Sequence, residues 1–179
     1  NMRKNLGAKN KLYPMPLVVI GTVFEGKNHY MLAGHVGIID HGTVEISIHK
    51  SRYSQQGLRT NRAYSINLLT EDMLPAANKS AFMNGWKEDK SKLFEAEFGK
   101  VVNAPLIKNA PVSMACEVID IYERPDFDIF IAKVTETFVD EKYLREDGSI
   151  DYQRMAPVLF VAQKHHYTVG TESKINAYK

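Results

Sequence analysis

Between two strand-like runs, Val44–Ile48 and Tyr64–Leu69, the chain reads VEISIHKSRYSQQGLRTNRAYSINLL, gathering Lys50, Arg52, Arg59 and Arg62 with the hydroxyls of Ser51, Tyr53 and Ser54. Two readings are open. One is a solvated connection, because surface Lys/Arg runs beside a Ser helix cap are common. The other is a site for a small anion such as a phosphate. A turn that leaves a strand and opens a helix presents free backbone N–H groups at the positive end of the helix dipole. Ser54 would cap that helix or donate to an anion oxygen. Lys50 and Arg52 would supply charge, the guanidinium through two donors at once. Neither GxGxxG nor GxxxxGK[ST] occurs, so any nucleotide-like ligand must be held in another way.

Other chemistries find less support. His29, His35, His41 and His49 are spread over the first third of the chain, His165 and His166 adjoin near its end, and no HExxH is present. Neighbouring histidines on a strand face opposite sides, and one cysteine cannot build a zinc ribbon, so no metal is expected. Cys116, within SMACEVI, has apolar neighbours and reads as a core thiol rather than a nucleophile. No GxSxG elbow marks a hydrolase. Trp86, the nine tyrosines and the eight phenylalanines read as core or interface, although any of them could stack on a flat ring.

The elements that must position these residues are mostly strands. Short β-branched or alternating runs recur at Leu17–Phe24, His29–Ile39, Thr43–Lys50, Ala63–Leu69, Val112–Glu123 and Asp128–Asp140, with late candidates at Pro157–Gln163 and His166–Gly170. EGKN (Glu25–Asn28) signals a hairpin and REDGSID (Arg145–Asp151) a Gly-centred loop. Helical patterns are short: Ser54–Asn61, Glu71–Ala77 and Trp86–Phe98, the last placing Leu93, Phe94 and Phe98 on one face. Many strands with few short helices predict a mainly β fold, a closed or nearly closed barrel. The 179 residues suit one domain, and 44% apolar with 25% charged residues is an ordinary globular composition. A formal charge of +2 argues against nucleic-acid binding. No apolar run approaches the ~20 residues of a membrane span, and the N-terminal MRKNLGAKNKLYP lacks an apolar secretory core. With its single cysteine, the chain reads as a soluble protein of a reducing, cytoplasmic compartment.

The order of segments carries a further expectation. LYPMPLVVIGTV, MLAGHVGIID, VEISIHKSRYSQQGL, AYSINLL, WKEDKSKLFE, NAPLIKNAPVSMACEV, DIFIAKV, YLREDGSIDY and YTVG, taken together over about Leu12 to Gly170, resemble the flavin-reductase-like, FMN-binding split-barrel family that includes the flavoredoxins. The resemblance implies a single Greek-key split β-barrel over 1–179, a homodimer, and FMN near the subunit interface. It implies that Met31, Leu32, Ala33, Gly34 and His35 run along the isoalloxazine. It also implies that His49, Lys50, Ser51, Arg52, Tyr53 and Ser54 carry the phosphate or ribityl contacts. Trp86 and Lys90 belong to a loop, Phe82–Lys90, that closes over the ligand, Asp89 and Lys90 matching the family's Asp–Lys pair.

This chain departs from the pattern in four places. His29 stands in the hairpin where the family usually has an Asn, and Leu32 stands where a Thr would supply a hydroxyl. The loop before the third strand is shortened to DHGT, and Asp128 stands where some relatives have a His associated with nicotinamide. The function implied is that of an FMN-binding oxidoreductase, a flavin reductase drawing on NADH or NADPH. The alternative is a flavoredoxin-like electron carrier that serves a redox protein partner. A further alternative is a split barrel that binds another anionic ring ligand.

Overall fold

The computed structural model describes residues 2–161 and 167–169. Its elements are β1 (Met15–Pro16), β2 (Val18–Phe24), β3 (Lys27–Ala33), β4 (Val36–Asp40), β5 (Thr43–His49), α1 (Gln55–Asn61), β6 (Ala63–Leu68), α2 (Leu74–Phe82), β7 (Ala96–Glu97) and β8 (Leu106–Ile107). There follow β9 (Val112–Glu123), β10 (Phe127–Val139), α3 (Tyr152–Met155), β11 (Val158–Phe160) and β12 (Tyr167–Val169). The expected mainly β architecture with few short helices is therefore present.

Seven strands form one antiparallel sheet in the order β3-β2-β6-β9-β10-β5-β4, and β1, β11 and β12 form a small second sheet. The two edges of the large sheet, β3 and β4, are consecutive in the chain and joined by residues 34–35 alone. In a flat sheet those edges would lie about 29 Å apart at ~4.8 Å per strand. A two-residue link spans only about 10 Å. The sheet must therefore roll up until its edges meet at residues 34–35. Inside the roll, Val18, Ile20, Met31, Val44, Ile46, Ile48, Tyr64, Ile66, Cys116 and Phe130 form the main core. Burial pushes the Cys116 thiol up to about 12, so the core-thiol reading holds.

The β2–β3 hairpin forms where EGKN places it, but Glu25 (φ 49°) and Gly26 (φ 73°) take the left-handed positions, and Lys27 already pairs with Phe24. Both φ signs match the primed two-residue turn that suits strand twist. The single strand expected over His29–Ile39 is instead two, β3 and β4, because its halves belong to opposite edges of the rolled sheet. Gly34 is needed at the break: a Cβ there would come within 2.7 Å of the Phe160 ring.

The helix expected over Trp86–Phe98 does not form. Asn84 Oδ1 accepts from the Trp86 amide (3.0 Å), Asp89 Oδ1 accepts from the Ser91 amide (2.8 Å), and Glu88 Oε2 accepts from the Asn84 amide (2.7 Å). Such local side-chain bonds outcompete the helical ladder. Downstream, Ala96–Glu97 pairs with Leu106–Ile107, and Phe98 is exposed while Leu93 and Phe94 pack inward. The Glu71–Ala77 pattern forms as a 3-10 turn, Glu71–Met73, leading into α2 with Pro75 in its first turn, where no intrahelical N–H is required. The late strands narrow to β11 and β12; residues 162–166 and 170, with His165 and His166, lie outside the described residues. Among the described residues no helix is long and apolar enough to cross a membrane.

Candidate functional site

The seam where the sheet edges meet opens two adjoining clefts. The larger, about 560 Å³, runs along residues 31–35 at the end of β3. Ser47 and His49 on the outer face of β5 line it, as do Phe127, Phe160 and Leu17. Strand alternation explains β5's part: Val44, Ile46 and Ile48 point into the core, so Ser47 and His49 point outward. Phe127 packs against both His35 and His49, with ring centroids 6.1 and 5.1 Å away. The second cleft, about 330 Å³, continues from the first across Met31, Leu32, Ser51, Arg52, Ala81 and Phe82, which line both. It leads to Tyr53, Ser54, Ser80, Trp86 and Lys90. One cavity system thus has an apolar, aromatic end and a polar, cationic end.

The 49–54 segment is firmly held. Buried Gln55 donates from Nε2 to the Ile48 carbonyl (3.0 Å), and the Lys50 amide donates to the Asp126 carbonyl (2.8 Å). The Ser51 amide donates to His49 Nδ1 (3.1 Å). Ser54 does not cap α1; its buried hydroxyl donates to the Met31 sulfur at 3.2 Å, linking the segment to β3. Two of the first-turn amides are not free either: those of Gln55 and Gln56 donate to the carbonyls of Arg52 and Tyr53. An anion here would meet side chains rather than a bare helix start.

The four cations divide. Arg59 lies 2.7 Å from Asp128 Oδ2 and 3.0 Å from Glu123, and Lys50 lies 3.5 Å from Asp128 Oδ1. Asp128 is 1% exposed, so these two cations serve a buried carboxylate. Arg62 sits in the left-handed position that ends α1. Arg52 alone of the four lines the clefts, and Lys90 joins it from the 84–90 loop. Lys90 is 6% exposed and donates to the Ser80 carbonyl at 2.7 Å. Burial, then the nearby Arg52 charge, holds its ammonium below the usual lysine range.

Of the thirteen residues singled out in the sequence, twelve line one or both clefts; Lys50 lines neither. Sequence reasoning missed His29, Phe127 and Phe160 as lining residues, and it placed Phe82 and Gly85 over the ligand only as part of the 82–90 loop. Phe82 is 78% exposed at the end of α2, and only tertiary approach brings it to the seam. His29 had a signal, since it stands in the hairpin where the resemblance expects an Asn.

His29 is 6% exposed, lies against the Tyr53 ring at 4.8 Å, and has its pKa lowered to about 4 by burial and then by the Lys90 charge. In the unfolded chain it titrates near 6.5. Between these values the unfolded state binds the proton and the folded state does not. Stability therefore falls as pH drops through that window. Urea unfolding of the ligand-free protein should show a loss of about 1 kcal/mol between pH 7 and pH 5.5. His29→Gln should flatten that slope; an unchanged slope would mean that His29 is not the group responsible.

Comparison with solved structures places this architecture. Flavoredoxin from Methanosarcina acetivorans superposes with a TM-score of 0.91 at 26% identity, over 100% of this chain and 96% of that one. Flavoredoxin of Desulfovibrio vulgaris (Miyazaki F) gives 0.90 at 27%, over 99% and 98%. An FMN-binding protein from Thermus thermophilus shares the fold at 0.80 and 17%, over 98% and 97%. In sequence, an uncharacterized protein of Aeropyrum pernix is 24% identical over 160 residues, 85% of this chain; the match spans only 59% of that relative's length. The rolled sheet with its seam is thus a split barrel of the flavoredoxin type. The flavin reductase like domain model matches residues 10–168, which take in the whole rolled sheet and both walls of the seam, and the chain belongs to that family.

Proposed function

We propose that the joined clefts bind FMN and that the protein is an FMN-binding oxidoreductase. One observation carries the reading: a single cavity system has an apolar aromatic end and a cationic end at Arg52 and Lys90, matching a flat ring that bears a phosphate-terminated chain. The residues fit the group. Residues 31–35, Phe127 and Phe160 would flank the ring, while Ser51, Arg52, Ser54 and Lys90 would hold the phosphate. Bound flavin supplies the hydride and electron chemistry. The chain's own residues orient it, and no side-chain acid or base is required of them. The reading includes a single domain over 1–179, a homodimer and a cytoplasmic location, for which the family resemblance and the lone cysteine are the support.

The donor divides two versions of this function. In the first the protein is a flavin reductase that takes hydride from NADH or NADPH. In the second it is a flavoredoxin-like carrier reduced by a protein partner. The arrangement of Asp128 favours the second: it is sealed against Arg59 and Lys50 and cannot reach a nicotinamide from the place where some relatives have a His.

Trp86, the sole tryptophan, lines the polar cleft. Titration with FMN should therefore quench its fluorescence saturably. Absence of both quenching and binding would sink the flavin reading. Anaerobic addition of NADH or NADPH to the FMN-loaded protein then separates the versions: prompt bleaching marks the reductase, persistent oxidised flavin the carrier.

A further inference from the structure

A third cleft, about 290 Å³, lies beyond the polar end of the second. It shares His29, Tyr53, Gly85 and Lys90 with the second cleft and no residue with the first, so the three lie in a row. Three of the shared residues are packed on one another. The His29 and Tyr53 ring centroids are 4.8 Å apart. The Gly85 backbone presses on both: a Cβ there would sit 2.6 Å from His29 Cε1 and 2.9 Å from Tyr53 Cβ.

The loop bearing Gly85 is tied down at both ends. Trp86 Nε1 donates to the Ser51 carbonyl (3.3 Å) and its ring stacks edge-on against Tyr53 (5.2 Å). Asp89 pairs with Lys27 of the hairpin at 3.6 Å, and Lys90 is bonded to Ser80.

We propose that His29, Tyr53 and Gly85 form an end wall that makes the site select a terminal phosphate monoester, FMN, over a flavin dinucleotide, FAD. The inference rests on the flavin reading above and adds to it the residues that set ligand length. A monoester ends at the wall, where Arg52 and Lys90 can meet its two charges. A dinucleotide must continue past its first phosphate, and the cleft that adjoins this polar end is the third, on the far side of three packed groups. In that cleft Lys27 and Lys87 are offset by Glu88 and Asp89, Asp89 being paired with Lys27, so little charge is left there to draw a second phosphate through. Discrimination then comes from obstruction rather than from an added attraction.

The test is a pair of dissociation constants, for FMN and for FAD, read from Trp86 quenching and flavin fluorescence. Wild-type protein should bind FMN about 100-fold tighter than FAD or better. His29→Ala, which opens the wall into the third cleft, should tighten FAD binding and shrink the ratio to about tenfold or less. Gly85→Ala, which drives the wall into the cleft, should weaken FMN without helping FAD, and it keeps the test decisive if the His29 variant folds poorly. Similar affinities for both flavins in the wild type would overturn the wall and leave the flavin reading standing. So would a folded His29→Ala with an unchanged ratio. Binding of neither flavin would overturn the flavin reading and this inference with it.

Discussion

Arg52→Ala lowers FMN affinity by about 10- to 100-fold, the equivalent of the ~1.5–3 kcal/mol carried by a charge-assisted hydrogen bond. The size follows from how the other cations are used. Lys50 and Arg59 are committed to Asp128, and Lys90 is already bonded to the Ser80 carbonyl. Arg52 lines both clefts and has no ion-pair partner among the described residues, so its charge is available to a ligand. Arg52→Lys keeps the charge and loses the two-donor fork, so its affinity should fall between wild type and alanine. Riboflavin, which lacks the phosphate, should bind wild type and Arg52→Ala alike. Equal FMN affinity for the two proteins would remove Arg52 from the anion site.

Arg59→Ala should cost about 3 kcal/mol of stability, at the lower end of the range for breaking a buried pair because Arg59 itself is partly exposed. The cost arises from what remains. The Asp128 carboxylate stays buried, loses its 2.7 Å partner and keeps only Lys50 at 3.5 Å. In a domain of this size the melting temperature should fall by roughly 10 °C. Removing the carboxylate as well, in Arg59→Ala/Asp128→Asn, should recover part of the loss, since no unpaired charge is then left inside. A double variant no more stable than Arg59→Ala would show that the loss is one of packing rather than of charge. Both variants should retain FMN binding to within a fewfold, because neither residue lines the clefts.

The strands were legible from period-two patterning because half of each faces a core. In β5, Val44, Ile46 and Ile48 alternate with Thr43, Glu45 and Ser47, and that alternation alone sends Ser47 outward to the cleft. Local rules failed where a local signal met a competing one. Trp86–Phe98 has helical spacing of apolar residues, yet Asn84, Glu88 and Asp89 bond to nearby amides and hold the segment as a loop. His29–Ile39 is continuous in β propensity, but its two halves pair at opposite edges of one sheet, which no window of sequence can register.

The amino-acid sequence by itself determined that this is a mainly β chain with a cation- and hydroxyl-rich turn after the strand that begins at Thr43. Hydrophobic periodicity and residue type act over a few residues and survive any tertiary context. The ordered segments also pointed to the family and to most of the residues that line the clefts. Only the tertiary structure decided which cations face a ligand. Asp128, some seventy residues downstream of Arg59, reaches it through the β10 pairing and claims it with Lys50, leaving Arg52 to be joined by Lys90 from a loop whose apolar spacing alone predicts a helix. The clefts have the same origin: they exist because a seven-stranded sheet is forced to close at a two-residue link, and closure is a property of the whole sheet rather than of any strand in it.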